Sequence, residues 1–197
     1  MTQNPSQTRI LAAARSLFFK HGFEKVSTDM LAREAAVSKA TIYRYYQNMT
    51  DLLGCVATAE VCRFRDANPP AVTSRAELHA GLTAFGTRLL TFLNDPETVA
   101  FACLIHEEAR HAPDMGVTFY DAAFQQTLDD LARMFDQAKD CGALKTEFAP
   151  QEIAEDFIAL LEGQGLKRAQ LGLSGLPYPD VPGKVNRAVT TLLRAHG

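Results

Sequence analysis

The sequence predicts an all-α protein with a three-helix unit over residues 1–47 and a helical body over residues 48–197, about nine helices in all. Apolar residues recur three or four positions apart through most of the chain, which is the spacing of one helix face. Serine, asparagine and aspartate, which cap helices, precede several of these runs. No segment alternates apolar and polar residues in the way that a half-buried strand does.

Composition places the chain among globular proteins. Its 197 residues are 47% hydrophobic and 22% charged, and the longest apolar runs are far shorter than a membrane span. The N-terminus has no basic segment followed by an apolar one, so we expect no signal peptide and a cytoplasmic location. The four cysteines lack paired spacing; we expect small buried hydrophobic residues, with a redox sensor or a metal site as the alternatives.

Charge is distributed unevenly along the chain. The first 47 residues hold seven basic and three acidic side chains, a net charge of +4. Because the whole chain carries −3, the remainder carries −7. A basic N-terminal unit on an acidic body is the asymmetry expected when one small domain meets phosphate and the rest binds something else.

Three short helices fill the N-terminal unit. The first is expected to begin at a Ser6 cap and to end at Gly22, while Ser27 and Ser38 cap the second and the third. The second and third are separated only by a short break around Ala36. Two such helices form a helix-turn-helix, whose second helix lies in the major groove of DNA.

The third helix has an inward and an outward side. Ile42 and Tyr46 point inward at i, i+4 spacing. The outward residues are then Lys39, Ala40, Thr41, Tyr43, Arg44 and Tyr45. The flexible charge of Lys39 suits a phosphate, and the planar fork of Arg44 suits the edge of a guanine. The alternative is that Tyr43 and Tyr45 are half-buried packing residues.

The body continues as a series of helices. Asn48 and Ser74 each precede an acidic residue three positions later, which is the spacing of a capping box. Later helices are predicted over residues 96–110, 113–141 and 150–172, and a last one after the linker at residues 177–182. The helix that begins after Asn48 is joined to the third helix by only a few residues, so a shift of its axis would move the DNA-reading surface.

The last two helices have the pattern of an interface between two copies of the chain. Each has one apolar side, and each interior glycine of the earlier helix costs about 1 kcal/mol against alanine, which close approach of another helix would offset. The predicted interface residues are Phe157, Leu161, Gly165, Val185, Val189 and Leu192. The alternative is that both helices pack on the chain's own body. In a dimer, two recognition helices held about 34–36 Å apart would read a palindrome.

The sequence shows no catalytic or metal-binding motif. Residues 106–111 resemble a zinc-protease motif, but the second histidine follows the first by five positions instead of four, so the two do not share one helix face. The chain also lacks a glycine-rich phosphate loop and a Gly-x-Ser-x-Gly elbow. We therefore expect a protein that is not an enzyme, with no cofactor and no metal.

Residues 18–23, 27–32 and 36–46 together carry a more specific pattern of helix lengths, two serine caps and lysine-to-tyrosine spacing. This pattern resembles the TetR family of bacterial repressors. Ala36 stands where that family usually has a glycine, and Met49 where it usually has a lysine that contacts phosphate. The resemblance implies phosphate contacts from Thr28, Lys39, Tyr43 and Tyr45, and base-edge contacts from Ala40, Thr41 and Arg44.

A second resemblance covers the body. Residues 107–110, 113 and 119–120, with the later run over residues 154–172, are similar to the C-terminal domain of AefR-like members of the family. In similar proteins a small molecule enters the body and favours a conformation that no longer matches DNA. Candidate pocket residues are Phe85, Phe101, His106, Phe119, Tyr120, Phe124 and Phe157. Core packing is the alternative for each. They include no cluster of like charges, so we expect a mainly apolar or aromatic effector.

Three functions fit these patterns. The first, our working hypothesis, is a homodimeric repressor that a small molecule releases from a palindromic operator in double-stranded DNA, without a membrane partner. The second is a constitutive or protein-partnered DNA-binding regulator, for example an activator, that has no effector. The third is a helical carrier or enzyme with a vestigial N-terminal unit, which would need paired catalytic residues that the body lacks.

Overall fold

The computed structural model describes residues 4–64, with side chains up to residue 62, and residues 71–196. Within these ranges the chain is all-α, as predicted, and contains no strand. None of the helices described there is long and apolar enough to cross a membrane. The same ranges hold eleven α-helices and one π-helical turn, where the sequence predicts about nine helices.

The helices are α1 (Pro5–His21), α2 (Thr28–Glu34), α3 (Lys39–Tyr45), α4 (Met49–Phe64), α5 (Arg75–Leu93), α6 (Pro96–Glu108), α7 (Pro113–Tyr120), α8 (Gln126–Asp140), α9 (Pro150–Glu162), α10 (Gly165–Gln170) and α11 (Val181–His196). Two predicted helices are interrupted, which explains the larger number. A π-helical turn at Asp121–Gln125 separates α7 from α8. Gly163, with φ of 50°, separates α9 from α10, because a left-handed backbone cannot continue a right-handed helix.

Helix α1 begins slightly earlier than the sequence predicts. The Asn4 side chain accepts a hydrogen bond from the Ser6 N–H at 3.0 Å, so the cap is Asn4 and not Ser6. Pro5 takes the first helical position, where its missing N–H costs nothing and its fixed φ suits a helix. Gly22, with φ of 78°, follows the last residue of α1, and the predicted end of this helix is confirmed.

The described residues fold into two compact units. The first comprises the residues up to 63 and residues 100–123, and the second comprises the others. Each unit has its own buried core. These boundaries follow packing, whereas the boundary that we predict at residue 47 follows the DNA-reading role of the first three helices, and that division of roles stays a prediction.

The first core packs α1, α2 and α3 against α4 and parts of α6 and α7. Its fully buried large side chains are Phe18, Ile10, Leu31, Leu52, Leu53 and Ile105. Phe19 of α1 also stacks on Phe101 of α6, with ring centroids 4.7 Å apart. Burial of one large apolar side chain contributes about 1.5–3 kcal/mol. This packing therefore stabilises helices that are too short to be stable in isolation.

An ion pair joins α1 to α4 within the first unit. Arg15 Nε donates to Glu60 Oε1 at 2.8 Å, and the Glu60 side chain is only 10% exposed. The Arg15 guanidinium also lies over the Phe19 ring, 4.5 Å from its centroid. A buried carboxylate is stable only when it is paired, so the contact fixes which side of α4 faces α1.

The cysteines are less buried than the sequence predicts. All four are free; Cys55 and Cys103 are half-buried, whereas Cys62 and Cys141 are exposed. The prediction of buried small residues is therefore wrong for the exposed pair. Cys62 is exposed because α4 buries Glu60 instead, and Cys141 because it follows the end of α8. Burial raises the pKa of the Cys55 thiol.

The second core is formed by α5, α8, α9 and α11. Its fully buried large side chains include Leu78, Leu82, Leu90, Leu131, Phe135 and Phe157. Phe135 of α8 meets Phe157 of α9 edge to face, with centroids 6.5 Å apart. Helices α9 and α11 thus place their apolar sides in the core of their own protomer.

This core also contains the residues that the sequence predicts for a dimer interface. Phe157, Leu161, Val185, Val189 and Leu192 are at most 1% exposed, and Gly165 is buried. Their burial in the chain's own core agrees with the alternative, in which both helices pack on their own body, and their role in a dimer interface stays a prediction. A local contact also explains why residue 165 is a glycine. A Cβ atom there would lie 2.5 Å from the Pro177 carbonyl oxygen and 2.6 Å from the Tyr178 ring, so the glycine admits the chain's own connection.

The break between α2 and α3 contains a strained residue. Ala36 has φ of 51°, and among the described residues no other non-glycine has a positive φ. A left-handed backbone costs an L-residue about 1–2 kcal/mol, whereas glycine adopts it freely. Ala36 therefore keeps its conformation because the surrounding helices impose it.

Replacing Ala36 by glycine should stabilise the protein. We expect the free energy of unfolding to rise by about 0.5–1 kcal/mol, because the relief of strain exceeds the entropy that glycine adds to the unfolded chain. Urea unfolding followed by circular dichroism measures the change. The control is Ala12→Gly in the exposed middle of α1, which should lose about 1 kcal/mol. An equal loss at both positions would contradict the strained conformation of Ala36.

Candidate DNA-binding surface

Helix α3 is fixed on the first core by two side chains. Ile42, in its middle, is 2% exposed, and Tyr46, directly after its end, is 3% exposed. Burial raises the pKa of Tyr46 to about 12, so this phenol stays neutral at physiological pH. Both inward residues that the sequence predicts are confirmed. Their positions four residues apart determine which side of α3 faces away from the core.

Two serines begin the helices of the motif, as predicted. Ser27 Oγ accepts a hydrogen bond from the Met30 N–H at 3.3 Å, and Ser38 Oγ accepts one from the Thr41 N–H at 3.1 Å. The Thr41 hydroxyl also lies 2.9 Å from Ser38 Oγ. A serine cap contributes about 1 kcal/mol, which is substantial for helices of seven residues. The second cap also holds the Thr41 side chain at the N-terminal turn of α3.

Four of the six residues predicted to face outward from α3 are exposed and two are half-buried. Its exposed residues are Lys39, Ala40, Tyr43 and Arg44, and its half-buried residues are Thr41 and Tyr45. Tyr43 is 55% exposed, so a packing role does not describe it. Tyr45 packs partly against the first core, so the packing alternative holds for part of its ring.

A hydrogen bond joins α2 to α3 at the exposed surface. Thr28 Oγ1 and Tyr43 OH are 3.2 Å apart, and either can be the donor. The structure thus places two of the four candidate phosphate-binding residues side by side. Two neighbouring hydroxyl groups can both donate to the oxygens of one phosphate.

Asp29 is a part of this surface that the sequence did not single out. Its Oδ1 atom lies 2.7 Å from Lys39 Nζ, and both side chains are more than half exposed. Such a pair adds little to stability. It does, however, hold the ammonium group that a phosphate would bind. The residues belong to different helices ten positions apart, so helical periodicity gives no signal for the contact.

Arg44 is oriented by its neighbour Tyr45. The guanidinium carbon lies 4.9 Å from the centroid of the Tyr45 ring, and Nη2 donates to Tyr45 OH at 3.3 Å. The stacking restricts the long side chain, which lowers the entropy lost when it binds. The remaining N–H groups are available to the edge of a base.

The first turn of α4 has a cap but no basic side chain. Asn48 Oδ1 accepts from the Asp51 N–H at 2.8 Å, and Asp51 Oδ2 accepts from the Gln47 N–H at 2.9 Å, which confirms the predicted capping residues. Met49, where the family usually has a lysine, packs against the first core. A phosphate contact from that side chain is therefore absent.

The seven candidate pocket residues are divided between the two units. Phe101, His106, Phe119 and Tyr120 belong to the first, and Phe85, Phe124 and Phe157 to the second. Phe85 and Phe157 pack together in the second core with centroids 6.2 Å apart, and Phe101 lies in the first core. Phe119 is half-buried against the first core, whereas His106, Tyr120 and Phe124 are exposed. Their role in binding a ligand stays a prediction.

No metal centre is visible in the part of the chain that the structure describes. Nowhere in it do three or more histidine, cysteine, aspartate or glutamate side chains lie together in a way that could hold an ion. The candidate functional surface is formed by α2 and α3, where hydroxyl and cationic side chains are exposed.

Known protein families match both parts of the chain. The family described as bacterial regulatory proteins, tetR family, matches residues 10–55. The family described as AefR-like transcriptional repressor, C-terminal domain, matches residues 80–197, which is more than half of the chain. Both resemblances seen in the sequence are confirmed.

Individual proteins agree with this assignment. The HTH-type transcriptional regulator YvkB of Bacillus subtilis is 27% identical over 183 residues, 89% of each chain. The solved structure of the Flavonoid-responsive Regulator FrrA has a TM-score of 0.79 and 28% identity over 97% of this chain and 96% of its own. A TetR-family regulator from Mesorhizobium loti has a TM-score of 0.85 over the whole of both chains, and at 21% identity it supports the fold alone. The chain belongs to the TetR family of bacterial DNA-binding transcriptional regulators.

Proposed function

We propose that this regulator is a homodimeric repressor, released from a palindromic operator by a small and mainly apolar or aromatic molecule. The observation that carries the proposal is the outward side of α3, with Lys39, Tyr43 and Arg44 exposed and Thr28 beside Tyr43. The proposed protein binds DNA in the cytoplasm and catalyses no reaction.

The geometry supports separate roles on this surface, with some residues binding phosphate and others reading base edges. Thr28 and Tyr43, whose hydroxyls are 3.2 Å apart, would bind phosphate together with Lys39 and Tyr45. The base edges would be read from Ala40, Thr41 and Arg44. Ala40 is exposed in the first turn, and its small side chain lets the N-terminal end of the helix approach the floor of the groove.

One copy of α3 reads too little DNA to be specific. Seven residues of helix are about 10 Å long, so the helix spans only about three base pairs, each about 3.4 Å. Two copies held about 34–36 Å apart would read two half-sites in successive major grooves. A dimer on a palindrome supplies the specificity that one helix lacks.

The aromatic residues of the chain support an apolar or aromatic effector. The relative FrrA is a flavonoid-responsive regulator and resembles this chain over 97% of its length. The candidate ligand-contacting residues are the seven named above, six of which have aromatic rings of phenylalanine or tyrosine. Release requires that the effector prefers the conformation that does not match DNA. A shift from 1:99 to 99:1 needs about 10⁴-fold preference.

Changes at Lys39 and Asp29 should shift DNA affinity in opposite directions. Lys39→Gln should weaken binding to operator and scrambled duplexes alike and reduce the slope of log affinity against log salt by about one. Asp29→Asn frees the Lys39 ammonium and removes a negative charge, so it should strengthen binding to both duplexes. Fluorescence anisotropy at several salt concentrations measures these effects.

The Arg44→Ala variant is the control for the changes at Lys39 and Asp29, because it removes a base contact instead of a phosphate contact. It should remove about 1–3 kcal/mol of preference for the operator over the scrambled duplex. An unchanged salt slope in Lys39→Gln would show that Lys39 does not bind phosphate, and weaker binding by Asp29→Asn would show that Asp29 does not compete with phosphate for the Lys39 ammonium.

The effector hypothesis predicts release by aromatic compounds. The purified protein is bound to a labelled fragment from upstream of its own gene and titrated with flavonoids and other aromatic molecules, with sugars and metal ions as controls. We expect release by at least one aromatic compound at concentrations that leave an unrelated DNA-binding protein in place. Release only by anionic sugars or metal ions would contradict the hypothesis. Release by none of these, nor by cell extract, would favour a constitutive or protein-partnered regulator.

A further inference from the structure

One side of α3 contacts α2. Lys39 Nζ lies 2.7 Å from the Asp29 carboxylate, and Tyr43 OH lies 3.2 Å from the Thr28 hydroxyl. Lys39 and Tyr43 are four positions apart, so they stand on the same side of the helix. Both carry groups that bind phosphate, and this is the side that we assign to the DNA backbone.

The next side of α3 holds the three candidate base-reading residues. Ala40 and Thr41 precede Arg44 by four and three positions, so their side chains are neighbours of the Arg44 side chain. Ala40 and Arg44 are exposed, and Thr41 is half-buried. Arg44 supplies hydrogen-bond donors, whereas Ala40 offers only a methyl group. What this side reads beyond the Arg44 contact therefore depends on which branch of Thr41 faces the base.

The hydroxyl branch of Thr41 is turned toward Ser38. Thr41 Oγ1 lies 2.9 Å from Ser38 Oγ, and Ser38 Oγ also accepts a hydrogen bond from the Thr41 N–H at 3.1 Å. Whichever hydroxyl donates, the two oxygens are held together at the cap of α3. The Thr41 hydroxyl would have to turn away from this cap to point at a base edge. Its methyl group is therefore the branch that remains for a base.

Methyl groups of a protein can recognise one base of DNA in particular. In the major groove all four bases present hydrogen-bonding groups, and thymine alone adds a methyl group, at C5. Alanine and threonine methyl groups that pack on this 5-methyl group remove apolar surface from water, which stabilises the complex. A base that lacks the methyl group gains nothing from the same contact. The neighbouring methyl groups of Ala40 and Thr41 thus complement a thymine.

We propose that the methyl groups of Ala40 and Thr41 read the 5-methyl group of a thymine in each half of the operator. Ser38 is then a positioning residue, because it holds the Thr41 hydroxyl away from the base. Thr41 lies roughly 4.5 Å before Arg44 along the helix axis, and successive base pairs are about 3.4 Å apart. The thymine therefore lies within about two base pairs of the guanine that Arg44 reads. The inference rests on the proposed function, in which α3 enters the major groove.

Replacement of thymine by uracil removes the methyl group and leaves the hydrogen-bonding groups of the base unchanged. The upstream DNA segment that the protein protects is synthesised with uracil at a single thymine position of each half-site, one position after another, and fluorescence anisotropy measures the dissociation constant. At the position that α3 reads, uracil in both half-sites should weaken binding about fifteenfold, which is about fourfold for each buried methyl group. That position should lie within about two base pairs of a guanine whose N7 protection is lost in Arg44→Ala. Uracil at thymines outside the protected segment is the control and should have no effect.

A pair of variants at Thr41 separates the methyl group from the hydroxyl group. Thr41→Val keeps the methyl group and replaces the hydroxyl by a second one, so it should keep the preference for thymine over uracil. Thr41→Ser keeps the hydroxyl and removes the methyl group, so it should reduce the preference to about fourfold or less, because only Ala40 then covers the thymine methyl. Both variants keep the N–H that Ser38 caps, and circular dichroism checks that both are folded.

The outcomes separate this inference from the proposed function. Equal affinity for the thymine and uracil duplexes, or a preference that is lost in Thr41→Val and kept in Thr41→Ser, would overturn the methyl contact and leave DNA binding by α3 in place. A uracil effect far from the guanines that depend on Arg44 would also overturn it. A chain that binds its upstream DNA no more tightly than a scrambled duplex would contradict the proposed function, and this inference with it.

Discussion

Burial of one side of α3 fixes the position of this helix on the first core. A helix of seven residues has no stability of its own in water, so its position must come from packing. Ile42 and Tyr46 supply that packing from the middle and the end of the helix, and the Ser38 cap supplies its first turn. Because the inner side holds the helix, the exposed side chains of Lys39, Tyr43 and Arg44 are not needed to fix its position. Lys39, Thr41 and Arg44 are therefore available to DNA.

The two units differ in the physical property that matters most to each. The first needs a surface that attracts phosphate, and the first 47 residues carry a net charge of +4. The second needs an apolar core large enough to support long helices, and α5, α8, α9 and α11 supply it. Charged residues such as Glu152, Glu155 and Arg168 lie exposed outside that core.

Local features of the structure were predictable from sequence, and contacts between distant residues were not. Ser27 and Ser38 cap helices within three residues of themselves, and Ile42 with Tyr46 follows helical spacing, so all four could be read directly. The apolar faces of α9 and α11, which contain Phe157 and Val189, were equally clear in the sequence. Periodicity shows only that a helix face is buried, and it does not identify what covers that face. The Asp29–Lys39 pair and the approach of Pro177 to Gly165 depend on how helices meet, which one sequence does not specify.

We infer that the outward side of α3 enters the major groove of DNA in two copies. Its most direct test is a methylation-protection footprint of the protein on DNA from upstream of its own gene, with the Arg44→Ala variant beside it. We expect two protected major-groove segments with centres about 34–36 Å apart, and guanine N7 positions that lose protection in the variant. A single protected segment, protection confined to the minor groove, or a footprint that is identical in the variant would contradict it.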